Sequence, residues 1–388
     1  MEQIARPTQE RARQFVQKYG VKPLMVEAPG RVNLTGEHTD YNDGFVLPAA
    51  IQFLTRVAIA RRSDRRLVIA SENYSEQVEL EIKQLPATAR PHWSDYVIGV
   101  ARKLEERGID LPGASLLIAG DVPLGAGLSS SASLEVAACD AFLAISSAKL
   151  DAAEMARLCQ RAENEFVGAR CGIMDQFVSV RGKKDHAQPL DCRSLEYRHV
   201  PLPEDVRLVI CNTMVRHNLS GGEYNQRRKE CETGVYFFAQ RKPSVKALRD
   251  ISVRDLQKWE AGMPQIVRKR CRHVITEDER VIEAVRALEE QHVSLFGNLM
   301  GESHASLRDD FEVSCDELDL MVELAVRVAG VYGARMTGGG FGGCTINLVN
   351  AEAVEDFQAK VASGYERATG RKPEVYVCAA ADGVRRVM

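Results

Sequence analysis

The sequence predicts a soluble α+β protein of two domains, divided near residue 205. Three observations carry this. A chain of 388 residues is longer than one hydrophobic core usually organises. Short β-branched runs mix with runs at helical spacing, but loosely, without the strict βαβ repeat of a doubly wound sheet. The pattern then restarts at Val206-Arg-Leu-Val-Ile-Cys-Asn212, which sets the domains at 1–205 and 206–388.

In chain order, residues 8–19 are polar with spaced apolar positions and predict a surface helix. Val21 to Ala28 predicts a strand. It leads into a polar loop, Pro29 to Phe45, held between apolar runs, where binding groups tend to collect. Residues 53–60, 66–70 and 77–82 alternate or are β-branched and predict short strands. Tyr96, Val97, Val100 and Leu104 give Trp93 to Glu105 a helical period. Leu116 to Ile118 predicts a strand feeding a glycine-serine turn, and Leu134 to Ala144 an apolar helix. Residues 151–168 predict a helix capped by Asp151, with Glu163 on its later turns.

In the second half, a helix rich in Arg and Glu is expected from about 221 to 239. Charged helical segments fill 242–303, with a linker-like break at Gly262-Met-Pro264. Asp316 to Val328 predicts a helix, and Thr337 to Gly343 a glycine loop running into a strand that ends at Val349. A helix over 351–367 and a strand over Glu374 to Ala379 complete the pattern.

Composition removes several function classes. A net charge of −3 with mixed signs leaves no electrostatic footprint for nucleic acid, and the short Arg61-Arg-Ser-Asp-Arg-Arg66 run reads as a solvated turn. The ten cysteines are scattered without a C-x-x-C pair, so neither a zinc nor a thioredoxin-type site is indicated, and reduced core thiols in the cytoplasm are expected. The first ten residues show no apolar leader, and no run approaches 18 apolar residues, so no membrane partner is expected.

The stretch Asp121-Val-Pro-Leu-Gly-Ala-Gly-Leu-Ser-Ser-Ser-Ala-Ser-Leu-Glu135 holds two glycines and four serines at a helix start. Unpaired N–H groups and the positive end of the helix dipole suit an anion there. Gly125 and Gly127 let backbone approach a phosphate, and the hydroxyls of Ser129, Ser130, Ser131 and Ser133 can meet phosphate oxygens or magnesium. No Gly-Lys-Ser/Thr follows, which excludes a Walker loop, and Ser130 occupies the third glycine position of a dinucleotide fingerprint. A non-Walker phosphate cradle and a plain Ser-capped helix both remain open.

Further chemistry lies elsewhere in the chain. Glu37, His38 and Asp40, beside Asn42 and Asp43, could hold a divalent metal or accept paired hydroxyls of a sugar; a capped, solvated turn is the alternative. Asp175 sits among apolar residues and needs a partner, for which Arg31, in a loop after Pro29-Gly30, is a candidate. Such a pair could accept a hydroxyl proton and offset phosphate charge in phosphoryl transfer, or be a structural ion pair. Thr337-Gly-Gly-Gly-Phe-Gly-Gly343 can fold close against a ligand or a second loop, or simply be a flexible turn.

Taken together, these motifs resemble those of the galactokinase family, within the GHMP small-molecule kinases. Pro29-Gly-Arg-Val-Asn-Leu…Gly-Glu-His-Thr-Asp-Tyr41, Pro123-Leu-Gly-Ala-Gly-Leu-Ser-Ser-Ser-Ala-Ser133 and Thr337-Gly-Gly-Gly-Phe-Gly-Gly343 carry the resemblance. Cys171-Gly-Ile-Met-Asp-Gln176 and Gly222-Glu-Tyr-Asn225 add to it. The resemblance implies a GHMP kinase fold, with an N-terminal half like domain 2 of ribosomal protein S5, a ferredoxin-like C-terminal half, and the active site in the cleft between them. It implies phosphorylation of α-D-galactose at C1 by ATP, the entry step of the Leloir pathway.

By the same resemblance Asp175 is the catalytic base and Arg31 the transition-state stabiliser. Glu37, His38, Thr39, Asp40, Gly172, Asp175 and Tyr224 contact galactose. Gly125, Ala126, Gly127, Leu128, Ser129, Ser130 and Ser131 form the ATP phosphate loop, Trp93 lies against the adenine, and Ser131 and Glu163 bind Mg2+. Galactose and ATP are the expected partners, and a monomer is expected. Thr35 departs from the pattern, standing where the family more usually has an apolar residue, a change that could alter sugar affinity. An N-acetylgalactosamine kinase would share these motifs. A sugar sensor without chemistry is expected to have lost part of the serine run, which is complete here.

Overall fold

The structure, a computed structural model, describes residues 8–215 and 222–387. Residues 1–7, where no apolar leader is expected, and the first residue of the expected 221–239 helix lie outside the described residues.

Among the described residues two main sheets form. The first contains β1 (Leu24–Asn33), β2 (Pro48–Arg61), β3 (Arg66–Ser71), β4 (Glu76–Glu81) and β5 (Ala114–Gly120). Its order is β1-β2-β5-β3-β4, with a short C-terminal strand, Arg385–Arg386, outside β1. All neighbours are antiparallel except β3 and β5. Helix α1 (Thr8–Tyr19) lays Phe15 on one face, against Met25, Ala58 and Leu117. The other face is covered by α2 (Asp95–Glu106), α3 (Ser130–Ser146), α4 (Ala152–Arg161) and α5 (Met174–Arg181). Ala132, Ala137, Ala138 and Ala141 keep α3 slim, so it is buried nearly all round at the centre of this layer.

The second sheet contains β6 (Val206–Asn212), β7 (Val331–Thr337), β8 (Cys344–Asn350) and β9 (Glu374–Cys378), in the order β7-β8-β6-β9 and wholly antiparallel. Between β6 and β7 run α6 (Gly222–Ala239), α7 (Gln265–Glu289), α8 (Val293–Ser306) and α9 (Asp316–Val326); α10 (Val354–Thr369) links β8 to β9. With its helical insertions this is the β-α-β-β-α-β order of a ferredoxin-like unit. The period-2 alternation along β6 sends Val209 and Cys211 to the α9 and α10 side. Leu208 and Ile210 face Val281, Val285 and Phe296 of α7 and α8.

That second cluster does not stop at residue 205. Val32, Leu34, Ala49 and Ile51 of the first half belong to it, so the two halves share one apolar seam. The C-terminal residues also cross back: Ala381 N–H donates to the Ala50 carbonyl, and Arg385 and Arg386 pair with Glu27 and Val26.

Two local expectations change. Arg31 is not in a loop: β1 continues to Asn33, with a bulge between Pro29 and Arg31. Gly30 permits this, because a Cβ there would lie 2.7 Å from the Leu128 carbonyl, which accepts from Arg31 N–H. The helix expected over 151–168 is an α-helix to Arg161, capped by Asp151, and then a π-helical turn over Ala162–Val167. Helical periodicity alone does not separate those two forms.

Candidate active site

Two glycine loops, one from each half, meet backbone to backbone. Gly125 and Gly127 sit at φ 70° and 75°, and Gly338 at 87°, left-handed positions that glycine adopts without a Cβ clash. A Cβ on Gly338 would lie 3.0 Å from the Gly127 carbonyl, and one on Gly343 would lie 3.3 Å from that of Ala126. Neither loop is a merely flexible turn.

Ser129 takes φ 58° at the start of α3 and makes no capping hydrogen bond with its side chain. Its hydroxyl donates instead to Asp175 Oδ2, at 2.5 Å. The plain Ser-capped helix is therefore not what forms, and a helix of 17 residues presents its positive end beside the glycine turn.

Arg31 ties the centre together. From β1 its Nε donates to Asp175 Oδ1 and its Nη2 to Oδ2, both at 2.7 Å, a bidentate pair across 144 positions of sequence. Its Nη1 donates to the Gly127 carbonyl, also at 2.7 Å. Asp175 stands in the first turn of α5, so β1, α3 and α5 converge on one carboxylate.

Beside that knot lies a cavity of about 210 Å³ lined by Arg31, Glu37, His38, Asp40, Cys171, Asp175, Tyr224 and Gly339, among others. Burial and the nearby Asp175 raise the Asp40 carboxyl from the ordinary carboxylate range to about 7. Gly172 exists for Asp40, since a Cβ on it would fall 1.9 Å from Asp40 Oδ2. Burial likewise pushes Glu37 up, against the pull of Arg335 and Arg31. One Glu37 oxygen accepts from Gly338 N–H at 2.7 Å, joining the Glu37–Asp40 cluster to the second glycine loop.

Burial holds His38 neutral, with Nδ1 2.9 Å from the Tyr41 hydroxyl and the ring against Phe311. Tyr224 packs edge-on to Tyr41 and beside His38. Thr39 is placed differently from its neighbours: it is fully buried, off the cavity, with its hydroxyl on the Gly36 and Phe45 carbonyls.

Glu163, on the π-helical turn, accepts from Gln176 Nε2 at 2.7 Å and from the Ser131 hydroxyl. Burial, then Asp175, raises its carboxyl to about 7. Gln176 also reaches Glu135, a fully buried carboxyl pushed up by burial and by Glu163. Sequence reading did not single out Gln176 as a bridge, although it directly follows Asp175 in the Cys171–Gln176 motif.

A second opening of about 190 Å³ begins at Gly125, Ser130 and Ser131 of the glycine-serine turn and ends at Tyr74, Trp93 and Tyr96. Trp93 lies parallel to Tyr74, with ring centroids 5.6 Å apart, and donates to Glu76 at 2.8 Å. Tyr74 and Tyr96 carried no sequence signal for this wall, which forms only when the β3–β4 turn meets the start of α2.

Known proteins are similar to this chain over nearly all its length. The description "Galactokinase galactose-binding signature" matches residues 13–61, "GHMP kinases N terminal domain" 95–183, and "GHMP kinases C terminal" 284–367. A galactokinase from Roseiflexus sp. (strain RS-1) is 47% identical over 382 residues, covering 98% of this chain and 97% of the relative. One from Actinobacillus succinogenes is 46% identical, covering 98% and 99%. Among solved structures, Lactococcus lactis galactokinase complexed with galactose superposes with a TM-score of 0.93 at 34% identity, covering 98% of this chain and 99% of the other. A mevalonate kinase at 18% identity and TM-score 0.65, covering 92% of this chain and 99% of that one, shares the fold.

Proposed function

The chain belongs to the galactokinase family of GHMP kinases, and from that premise we propose that it transfers the γ-phosphoryl group of ATP to the C1 hydroxyl of α-D-galactose. The products are galactose 1-phosphate and ADP, and the step opens the Leloir pathway. The observation that carries the reading is the junction of Arg31, Asp175 and Ser129, where the phosphate loop borders a carboxylate-lined cavity.

In this reading galactose occupies the cavity, with Glu37 and Asp40 accepting its hydroxyl protons and Tyr224 closing one side. Asp175 orients the C1 hydroxyl and takes its proton as the oxygen attacks phosphorus. Arg31, held on the same carboxylate, offsets charge developing on the transferred group. The α3 N-terminus and the Gly125–Ser131 backbone bind phosphate oxygens. The stacked Trp93 and Tyr74 wall the opening that leads away from them, which suits an adenine.

The Ser131 hydroxyl and Glu163 carboxylate are hard oxygen donors side by side, and among the described residues no cluster of three or more His, Cys, Asp or Glu offers a closed metal cage. That fits magnesium, which keeps waters and phosphate oxygens and takes one or two protein ligands. When bound, it supplies charge neutralisation on the phosphates.

The division at 205/206, a monomeric state and a cytoplasmic location are part of the same proposal. No described helix is long and apolar enough to cross a membrane.

A coupled ADP-release assay over galactose, N-acetylgalactosamine and other hexoses tests the reading. Galactose-dependent release above all other sugars is expected. Preference for N-acetylgalactosamine, or no release with any hexose, contradicts it.

A further inference from the structure

We infer that Glu277 and Asp278, adjacent carboxylates on α7 of the C-terminal half, are positioning residues that pin the two ends of the sugar loop and thereby set galactose affinity without touching the sugar. The inference rests on the assignment of the cavity to galactose.

The loop from Gly36 to Phe45 carries Glu37, His38 and Asp40 into the cavity. Its ends lie side by side: a Cβ on Gly36 would fall 2.7 Å from the Phe45 carbonyl. At the first end, Glu277 Oε1 accepts from Gly36 N–H at 2.9 Å and from the Thr35 hydroxyl at 3.0 Å. At the second, Asp278 Oδ1 accepts from Phe45 N–H at 2.8 Å. One turn earlier on the same helix, His273 Nε2 lies 3.1 Å from the Glu37 carbonyl, its Nδ1 on Ser306. Gly44 leaves the room Asp278 needs, since a Cβ there would sit 2.2 Å from Oδ1.

The clamp is itself held. Glu277 is fully buried and also receives Ser303 Oγ at 2.5 Å and Arg280. A buried carboxylate is tolerated only when its oxygens are satisfied, so its direction is fixed by these partners. Neither Glu277 nor Asp278 lines the cavity. Hydrogen bonds to three successive parts of one loop from one helix face therefore transmit the position of α7 to Glu37, His38 and Asp40. Thr35, the departure noted in the sequence, supplies one of the donors.

The test uses the full-length enzyme with steady-state kinetics in each substrate. Asp278→Ala is expected to raise the galactose KM about tenfold while the ATP KM and kcat stay within about twofold, since one hydrogen bond with a buried partner is lost. Asp278→Asn keeps an amide oxygen for Phe45 N–H and is expected to restore the galactose KM to within about threefold of wild type. Thr35→Val removes a single donor at nearly constant shape and is expected to raise the galactose KM about threefold; it serves if Asp278→Ala does not fold. An unchanged galactose KM in the folded variants overturns the inference. So does a parallel rise in both KM values with a falling Tm, or failure of Asn to rescue. Wild-type turnover of galactose with a flat KM series sinks the clamp alone; absent wild-type turnover sinks the galactose reading.

Discussion

Asp40 shows how a single residue's surroundings set the conditions under which the site works. Its carboxyl is held at about 7 by burial and by Asp175, so below that pH it carries a proton and loses acceptor capacity. Galactose affinity should therefore weaken as pH falls through about 7, where an ordinary carboxylate would change only near 4. Galactose KM measured from pH 5.5 to 8.5 checks this, and Asp40→Asn should flatten the profile. Gly172→Ala forces a methyl into the space of the Asp40 carboxylate, which must swing out of its place on the cavity wall, and should raise the galactose KM by at least tenfold. Asp175→Asn leaves the shape but removes the charge that Arg31 and Ser129 both address. It should lower kcat by about a hundredfold or more, with nucleotide binding, measured by calorimetry, little changed.

The elements divide into those legible in the sequence and those that are not, and the division has a physical cause. The glycine-serine turn, the Glu37–Asp40 cluster and the second glycine loop are local signals: backbone freedom and dense polar groups are written into consecutive residues. Strand and helix positions followed from periodicity for the same reason, although β1 ran past its expected end at Ala28 into Asn33. Contacts between elements were not legible. Arg31 was a candidate partner for Asp175, but their meeting, the Gln176 bridge between Glu135 and Glu163, and the Tyr74–Trp93 wall each depend on how distant segments pack. The run over 242–303 read only as charged helix, and nothing in it marked Glu277, Asp278 and His273 as buried against the Gly36–Phe45 loop. At this scale the loop-to-loop contact is testable. Gly338→Ala places a Cβ in a left-handed position, at a cost of about 1–2 kcal/mol, and 3.0 Å from the Gly127 carbonyl. Both the ATP and galactose KM should rise in that variant, in contrast to the galactose-only effect of loosening α7.

Across the whole molecule, the expected restart near 205 marks where β6 begins, but the halves are not independent bodies. One apolar seam runs from Val32 and Ile51 to Ile210 and Phe296, and the last residues pair with β1. Thermal unfolding should then appear as a single calorimetric transition; two resolved transitions would show that the seam does not couple the halves. The same closure places Arg31 and Asp175 of one half under Gly338 and Gly339 of the other, so the site exists only when both are folded. On the proposed reading, this junction delivers phosphorus to one hydroxyl of one sugar. Phosphorus NMR of the enzyme with ATP, magnesium and galactose, followed over time, is the decisive measurement. A new sugar-phosphate resonance coupled to the anomeric proton is expected, growing about a hundredfold or more slowly with Asp175→Asn. Phosphate on another hydroxyl, release of inorganic phosphate alone, or an undiminished signal in that variant would contradict it.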